Sequence, residues 1–135
     1  MKTITRTERG WAAHLCVCRD CLFRRNTLLE CGEVRVIVST VGNYIPQRTN
    51  KLETIGCGRH YETFVFNAIR DGLYWEVSGS EIDSDGMLGG ELDSDLKADA
   101  MHERMVDKVT KSLSETGEYE RIKGICGDNL NGQGL

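Results

Sequence analysis

Residues 64–77, FVFNAIRDGLYWEV, contain two strand-like runs separated by Asp71-Gly72. Both runs are rich in aromatic and β-branched residues, and Asp-Gly between such runs favours a two-residue hairpin of type I′. This turn pairs Arg70 with Leu73 and gathers the apolar side chains of both strands on one face. We expect that face to be buried, and its members are Phe64, Phe66, Ala68, Trp75 and Val77.

Further strands are predicted upstream of the hairpin. Glu33 to Val41 is rich in β-branched residues, and alternation along a strand gives one face to Val34, Val36 and Val38. Cys31-Gly32 is typical of a turn, which makes Thr27 to Glu30 the hairpin partner of this strand. Trp11 to Leu15 is a further strand in this prediction, which therefore contains about four antiparallel strands.

A helix is predicted after the hairpin. The segment from Ser78 to Asp95 is rich in Gly, Ser and Asp, and Ser94 or Asp93 at its end suits the N-cap of a following helix. Apolar residues then recur at helical spacing, with charged residues between them, at Leu96, Met101, Met105, Val109 and Leu113. The predicted fold class is α+β, a four-stranded antiparallel sheet with a C-terminal amphipathic helix packed on one face.

Length and composition are those of a single domain. The chain has 135 residues, of which 39% are hydrophobic and 28% charged, so neither wholesale disorder nor a fibrous repeat is indicated. We assign residues 1–123 to one α+β domain and residues 124–135, with four glycines, to a flexible tail. No run of residues has the apolar character of a signal peptide or a membrane span, so a cytoplasmic protein without a membrane partner is expected.

Charge is distributed unevenly along the chain. Residues 1–62 carry 10 Lys/Arg against 6 Asp/Glu, a balance of +4, whereas residues 63–135 carry 7 against 15, a balance of −8. A strongly acidic surface steers association with a basic partner, although a solvated helix face explains the same pattern. The candidate partner-binding residues are Asp93, Asp95, Asp99 and Asp107.

Four residues have the spacing of a structural zinc site. Cys18 and Cys21 form a C-x-x-C pair, and Cys57 and His60 form a C-x-x-H pair. Together they would supply the four N/S ligands of a closed tetrahedral site, which would stabilise the fold and would not catalyse a reaction. The competing ligands are Cys16, Cys31 and His14, and the alternative without metal is a set of reduced, partly buried thiols.

Nucleic-acid binding and cysteine-based catalysis are two alternative functions. Arg24 and Arg25 belong to an arginine-rich N-terminal half that could contact nucleic acid, although a pI near 5.4 argues against that function. A cysteine nucleophile activated by His14 or His60 would make a small hydrolase or transferase. Because no third residue is placed to orient such a pair, we predict no catalytic residues and no enzymatic activity.

Several short runs together resemble a known family. They are GWAAH at residues 10–14, CLFRRNTLLE at 21–30, VSTVGNY at 38–44, YET at 61–63 and DGLYWE at 71–76. The chain resembles, from Gly10 to Leu113, a family of small uncharacterised proteins of bacteriophages and prophages, whose pattern does not include Cys57 and His60. The resemblance implies a bacterial cytoplasm and an accessory protein that binds and inhibits a host defence protein, as anti-CRISPR proteins do.

The zinc hypothesis yields a prediction that is independent of function. If the four ligands form one site, purified protein holds about one zinc per chain by elemental analysis, and chelation unfolds it. Changing Cys57 to serine should lower thermal stability as chelation does, whereas the same change at Cys126 in the glycine-rich tail should leave stability unchanged. Protein purified without chelator and free of zinc would contradict the hypothesis.

Overall fold

Five antiparallel strands and one helix make up the described part of the fold. The computed structural model describes residues 2–9, 21–55, 58–71, 74–88 and 94–119. In chain order the elements are β1 (Thr5–Arg9), β2 (Arg24–Cys31), β3 (Val34–Gly42), β4 (Arg59–Asp71), β5 (Tyr74–Leu88) and α1 (Asp95–Thr116). Each strand pairs with its neighbour in sequence, so the sheet order is β1-β2-β3-β4-β5. The predicted α+β class is confirmed, but the sheet has five strands where about four were predicted.

The strand that the sequence did not reveal is β1, with the sequence TRTER. It contains no apolar residue, so the alternation that identifies a half-buried strand is missing. Backbone pairing with β2 nevertheless aligns Thr7 with Leu28, and Thr5, Arg6, Thr7 and Glu8 are exposed. The strand predicted at Trp11 to Leu15 lies outside the described residues.

The β4–β5 hairpin differs from the prediction in its register. Asp71 pairs with Tyr74 and Ala68 with Val77, where Arg70 was expected to pair with Leu73 and Ala68 with Trp75. The predicted register is therefore wrong by two residues. Because side chains alternate with a period of two, a shift of two residues moves no side chain to the opposite face in the pattern.

The second strand of the hairpin is longer than the predicted run that ends at Val77, because β5 continues to Leu88. An irregularity in the ladder accommodates the polar segment: Asn67 pairs with Ser78, but Val65 pairs with Asp83. Four residues of β5 thus lie opposite one residue of β4, as in an extended bulge. The strand resumes beyond the bulge and brings Asp83 into the sheet.

Helix α1 packs on the face of the sheet that carries Val36 and Val38. The buried cluster between them comprises Leu29, Cys31, Val36, Val38 and Val65 from the sheet and Met105, Val106, Val109 and Leu113 from the helix. The face predicted for burial is the other one: Phe66 is buried there, and Phe64 and Ala68 are partly buried. The side chains of Trp75 and Val77 lie outside the described set.

The ends of α1 have separate determinants. Ser94 occupies the predicted N-cap, although its side chain makes no capping hydrogen bond. Gly117 ends the helix in the left-handed conformation, with φ of 82°, and its N–H donates to the Leu113 carbonyl at 2.8 Å. Leu96 was predicted to be in the buried stripe but is 84% exposed, because two residues turn a helix by about 200° and Ala98 takes the buried position.

No helix within the described residues has both the length and the apolar character needed to cross a bilayer. The glycine-rich segment 124–135, predicted to be a flexible tail, lies outside the described residues.

Two leucines of α1 provide a matched test of this packing. Leu113 is fully buried and Leu96 is 84% exposed. Leu113→Ala should lower the free energy of unfolding by about 2 to 5 kcal/mol, because it removes buried methyl groups and leaves a cavity. Leu96→Ala should change it by less than about 0.5 kcal/mol. Urea denaturation of both variants makes the comparison, and equal losses would contradict the helix orientation.

Candidate functional site

A buried histidine connects α1 to the sheet. His102 has no exposed surface, although it lies in a helix rich in charged residues. Its Nε2 lies 2.8 Å from Oγ1 of Thr27 on β2, and its Nδ1 lies 2.7 Å from Oγ1 of Thr40 on β3. Oγ1 of Thr40 lies a further 2.7 Å from Oγ1 of Thr63 on β4. The imidazole therefore spans three strands through hydroxyl groups.

The carboxylate of Glu8 fixes the direction of the hydrogen bond between Thr27 and His102. Thr27 donates its hydroxyl proton to Glu8 Oε2 at 2.5 Å, so Thr27 can only accept from Nε2–H of His102. In a neutral ring Nδ1 then accepts from the Thr40 hydroxyl, whose oxygen accepts from Thr63. A neutral imidazole therefore carries its proton on Nε2, and each member of the chain is satisfied.

Charged side chains cover the β1 side of the histidine. Arg6 Nη2 lies 2.7 Å from Glu103 Oε2, and Arg25 Nη1 lies 2.8 Å from the same oxygen. Arg25 also contacts Glu8 and Asp99, each at 3.1 Å. Two arginines and three carboxylates thus join β1, β2 and the first half of α1.

The electrostatic consequences follow from burial and these pairs. Burial, followed by the positive charge of Arg25, lowers the pKa of His102 from 6.5 to about 4. The hydrogen bond from Arg6 lowers the pKa of Glu103 to about 2. Burial raises the pKa of Glu8, but hydrogen bonds from Thr27 and Arg25 outweigh it and hold that pKa below its ordinary value. At neutral pH the chain thus has a neutral histidine and an ionised Glu8.

The other edge of α1 is held by a buried carboxylate. The Asp83 side chain on β5 has no exposed surface, and its Oδ2 lies 3.0 Å from Lys108 Nζ. Tyr119, beyond the helix, donates its hydroxyl to the same oxygen, and the backbone N–H of Ser84 donates to Oδ1 at 2.8 Å. Burial and the hydrogen bond to Asp83 raise the pKa of Tyr119 above its ordinary value. This arrangement ties the second half of α1 to β5.

A contrasting, open region lies where α1 begins. Leu22 is 65% exposed and Leu52 is 48% exposed, and both line a cavity that Asp95 also borders. Leu96, the next residue of the helix, is more exposed still. We use the name leucine patch for Leu22 and Leu52, which line this cavity, together with Leu96, which adjoins Asp95 in sequence. The Tyr61 hydroxyl donates to Asp95 Oδ1 at 2.6 Å, which ties the start of the helix to β4.

Of the four predicted partner-binding acids, the structure describes Asp95, Asp99 and Asp107. Asp93 lies outside the described residues. Asp95 accepts from Tyr61, and Asp99 is paired with Arg25, so both carboxylates have internal roles. Asp107 is exposed and forms no ion pair with any described residue. Basic residues alternate with these acids along the helix, so its outer surface is mixed in charge.

The two arginines proposed for nucleic acid do not form one patch. Consecutive residues of a strand point to opposite faces, and Arg25 lies on the face covered by α1. Arg24 therefore lies on the opposite face, where it is exposed. Three carboxylates engage the Arg25 guanidinium, which leaves it little capacity for phosphate. The nucleic-acid function stays a prediction.

Of the predicted zinc ligands, Cys21 and His60 are described. Cys21 pairs with Tyr44 across the sheet, and Nδ1 of His60 accepts a hydrogen bond from Asn43 Nδ2 at 3.0 Å. Nε2 is thus the ring nitrogen of His60 that could coordinate a metal. Within the described residues no three His, Cys, Asp or Glu side chains are grouped to hold an ion. Cys18 and Cys57 lie outside them, so the zinc site stays a prediction.

Sequence reasoning missed His102 and the leucine patch. His102 lies within the apolar stripe of α1, next to Met101 and one turn before Val106, and this position was the available signal. A histidine in such a stripe must be neutral and hydrogen-bonded if it is buried. Nothing local identifies its partners, since Thr27 is 75 residues away in sequence.

Comparison with known proteins found no match: no family model, no curated protein and no solved structure resembles this chain closely enough to assign it.

The histidine predicts a characteristic pH dependence of stability. The unfolded chain binds a proton at His102 near pH 6.5 and the folded protein only near pH 4, so stability falls as pH falls between these values. Relative to neutral pH, the loss below pH 4 is about 3 kcal/mol. His102→Gln should remove this part of the slope in urea denaturation from pH 7 to pH 4.

Carboxylate protonation at the lower end of the range affects both proteins equally, so the difference between them isolates His102. Identical pH slopes for wild type and His102→Gln would contradict the buried neutral imidazole.

Proposed function

We propose that the protein is a phage accessory protein that binds and inhibits a host defence protein, in the manner of an anti-CRISPR protein and without catalysing a reaction. The observation that carries this proposal is the leucine patch beside Asp95, where α1 begins. The phage assignment and the bacterial cytoplasm rest on the sequence resemblance. The binding surface rests on the exposed leucines and the cavity beside them.

Exposure of the leucine patch favours a protein partner. A single exposed leucine is ordinary, but Leu22 and Leu52 border one cavity, and Leu96 follows the acid at its edge. Clustered apolar side chains with a polar rim are typical of protein interfaces, in which a few large residues contribute most of the binding energy. The leucine patch provides the apolar side chains, and Asp95 belongs to the polar rim.

Charge favours a basic partner. Asp95 and Asp107 are both exposed, and about 18 Å of helix separates them, a span that one interface of ordinary size can cover. Asp99 lies between them but is already paired with Arg25. The −8 balance of residues 63–135 adds long-range attraction toward a basic surface, such as the groove in which a defence protein holds nucleic acid.

Binding is favoured over catalysis by the position of His102. General acid or base catalysis requires a titratable group within hydrogen-bond reach of the substrate. The imidazole of His102 has no exposed surface, and its two nitrogens are occupied by threonine hydroxyls. Its role in this proposal is to hold α1, and therefore the patch, in place.

The proposal is tested by capture from a bacterial host lysate, followed by mass spectrometry. Leu96→Glu and Asp107→Lys change exposed side chains and should not affect folding. If the patch and the acid contact the partner, each variant should lose captured partner, with about a 30-fold loss of affinity for the leucine if it is a main contact.

The matched control is Glu33→Lys. Glu33 lies in the β2–β3 turn, beside the end of α1 and far from Asp95, and its side chain is 96% exposed. This variant has the same change of charge as Asp107→Lys and should capture the partner as wild type does. Unchanged capture by both Leu96→Glu and Asp107→Lys would contradict the proposal.

A further inference from the structure

The cavity that Leu22 and Leu52 line is small, and several elements border it. Its volume is about 180 Å³. It lies between the start of β2, the loop after β3 and the first turn of α1, and it is lined by Leu22, Phe23, Asn43, Leu52, Tyr61 and Asp95. Among the described lining residues most side chains are apolar, and the Asp95 carboxylate lies at the helix end.

The volume suits one large side chain. Pockets for drug-sized or cofactor ligands are roughly 300 to 1,000 Å³, so this cavity is too small for that class. An apolar cavity of roughly 150 Å³ holds a benzene molecule, which is the size of a phenylalanine ring. A single aromatic or long aliphatic side chain therefore fills it.

The wall is held in place before any ligand arrives. Phe23 and Tyr61 pack edge to face, with ring centroids 5.6 Å apart and planes at 89°. They meet above Gly42, where a Cβ atom would lie 3.0 Å from Phe23 Cβ and 3.1 Å from Tyr61 Cε2. The hydrogen bond from Tyr61 to Asp95 fixes the rim. A preformed wall lowers the entropy cost of binding.

The charge at the rim specifies what lies next to the anchor. Asp95 is exposed, and Tyr61 engages only its Oδ1. Oδ2 makes no hydrogen bond with a described residue, so it can accept from a cation outside the chain. A lysine or arginine beside the anchor residue would pair with this oxygen, whereas an acidic neighbour would be repelled.

We infer that this cavity is the anchor site for the partner: it takes one large apolar side chain from a protein segment, and Asp95 binds an adjacent basic residue. The inference rests on the proposed function and names the partner's chemistry at that surface. Leu22 and Leu52 line the cavity and would exclude water around the anchor side chain. A peptide segment with an aromatic residue followed by arginine or lysine has the matching shape and charge.

The test is an NMR titration of the full-length, ¹⁵N-labelled protein with three short probes. Acetyl-phenylalanyl-arginine amide should shift the amide signals of Phe23, Tyr61 and Asp95, with an affinity in the millimolar range. Acetyl-phenylalanyl-glutamate amide should bind at least about fivefold more weakly, since it loses an attraction of about 1 kcal/mol and introduces a repulsion. Acetyl-alanyl-arginine amide should bind more than about tenfold more weakly, because it lacks the ring.

Two matched pairs of proteins complete the design. Asp95→Asn keeps an oxygen to accept from Tyr61 but removes the charge, so it should abolish the preference for arginine over glutamate that wild type shows. Leu52→Ala should weaken binding of the phenylalanyl-arginine probe, while Ile69→Ala, at a similarly exposed leucine-sized residue of β4, should not. Equal shifts with all three probes, or no shift at the cavity, would overturn the inference.

The two proposals fail separately. If the probes leave the cavity unaffected while Leu96→Glu still abolishes capture, the anchor site is wrong and the proposed function stands. If the probes bind with the expected preference but wild type captures no host protein, the proposed function is wrong, while the recognition chemistry of the cavity is retained.

Discussion

The hydrogen-bonded chain from Glu8 through Thr27 and His102 to Thr40 is the constraint on which the other features depend. An amphipathic helix with only an apolar stripe could slide or rotate on a flat sheet at little cost. A buried imidazole with both nitrogens satisfied allows one position, because any shift leaves a buried polar atom without its partner. The chain therefore determines where along the sheet α1 lies.

Charged pairs act at both edges of the helix around this neutral centre. On the β1 side, Arg6 and Arg25 share the carboxylate of Glu103, and on the β5 side Lys108 approaches the buried Asp83. The pairs near β1 are partly exposed and individually weak, so they add orientation more than stability. With the helix fixed along its length, its first turn can present Asp95 and the leucine patch as one surface.

The sequence predicted those parts of the fold that depend on local alternation. Val36 and Val38 lie on the face that packs against α1, and the helix has the bounds indicated by Ser94 and its apolar spacing. Strand β1 could not be predicted, since its pairing is made by backbone groups and its side chains are polar. The hairpin register could not be predicted either, because a slip of two residues leaves the alternation of apolar and polar side chains unchanged.

The candidate site could be predicted less well than the fold, because its contacts join residues that are distant in sequence. The acids predicted to bind a partner were identified from charge alone, and charge does not reveal that Asp99 is already paired with an arginine 74 residues away. The exposure of Leu96 follows from helical geometry once Ala98 is known to be buried, whereas the exposure of Leu22 depends on the course of the chain before β2, which no local pattern encodes. The polar chain at His102 combines residues from β1, β2, β3 and α1, so its recognition required the assembled sheet.

The most direct test of this account is the protonation state of the His102 ring in the folded protein, measured by two-bond ¹H–¹⁵N NMR at pH 5. An exposed histidine is mostly charged at that pH, with equivalent protonation of both nitrogens. The account predicts a neutral ring with the proton on Nε2 and a bare Nδ1 that accepts from Thr40. A charged imidazolium at pH 5, or a neutral ring protonated at Nδ1, would contradict it.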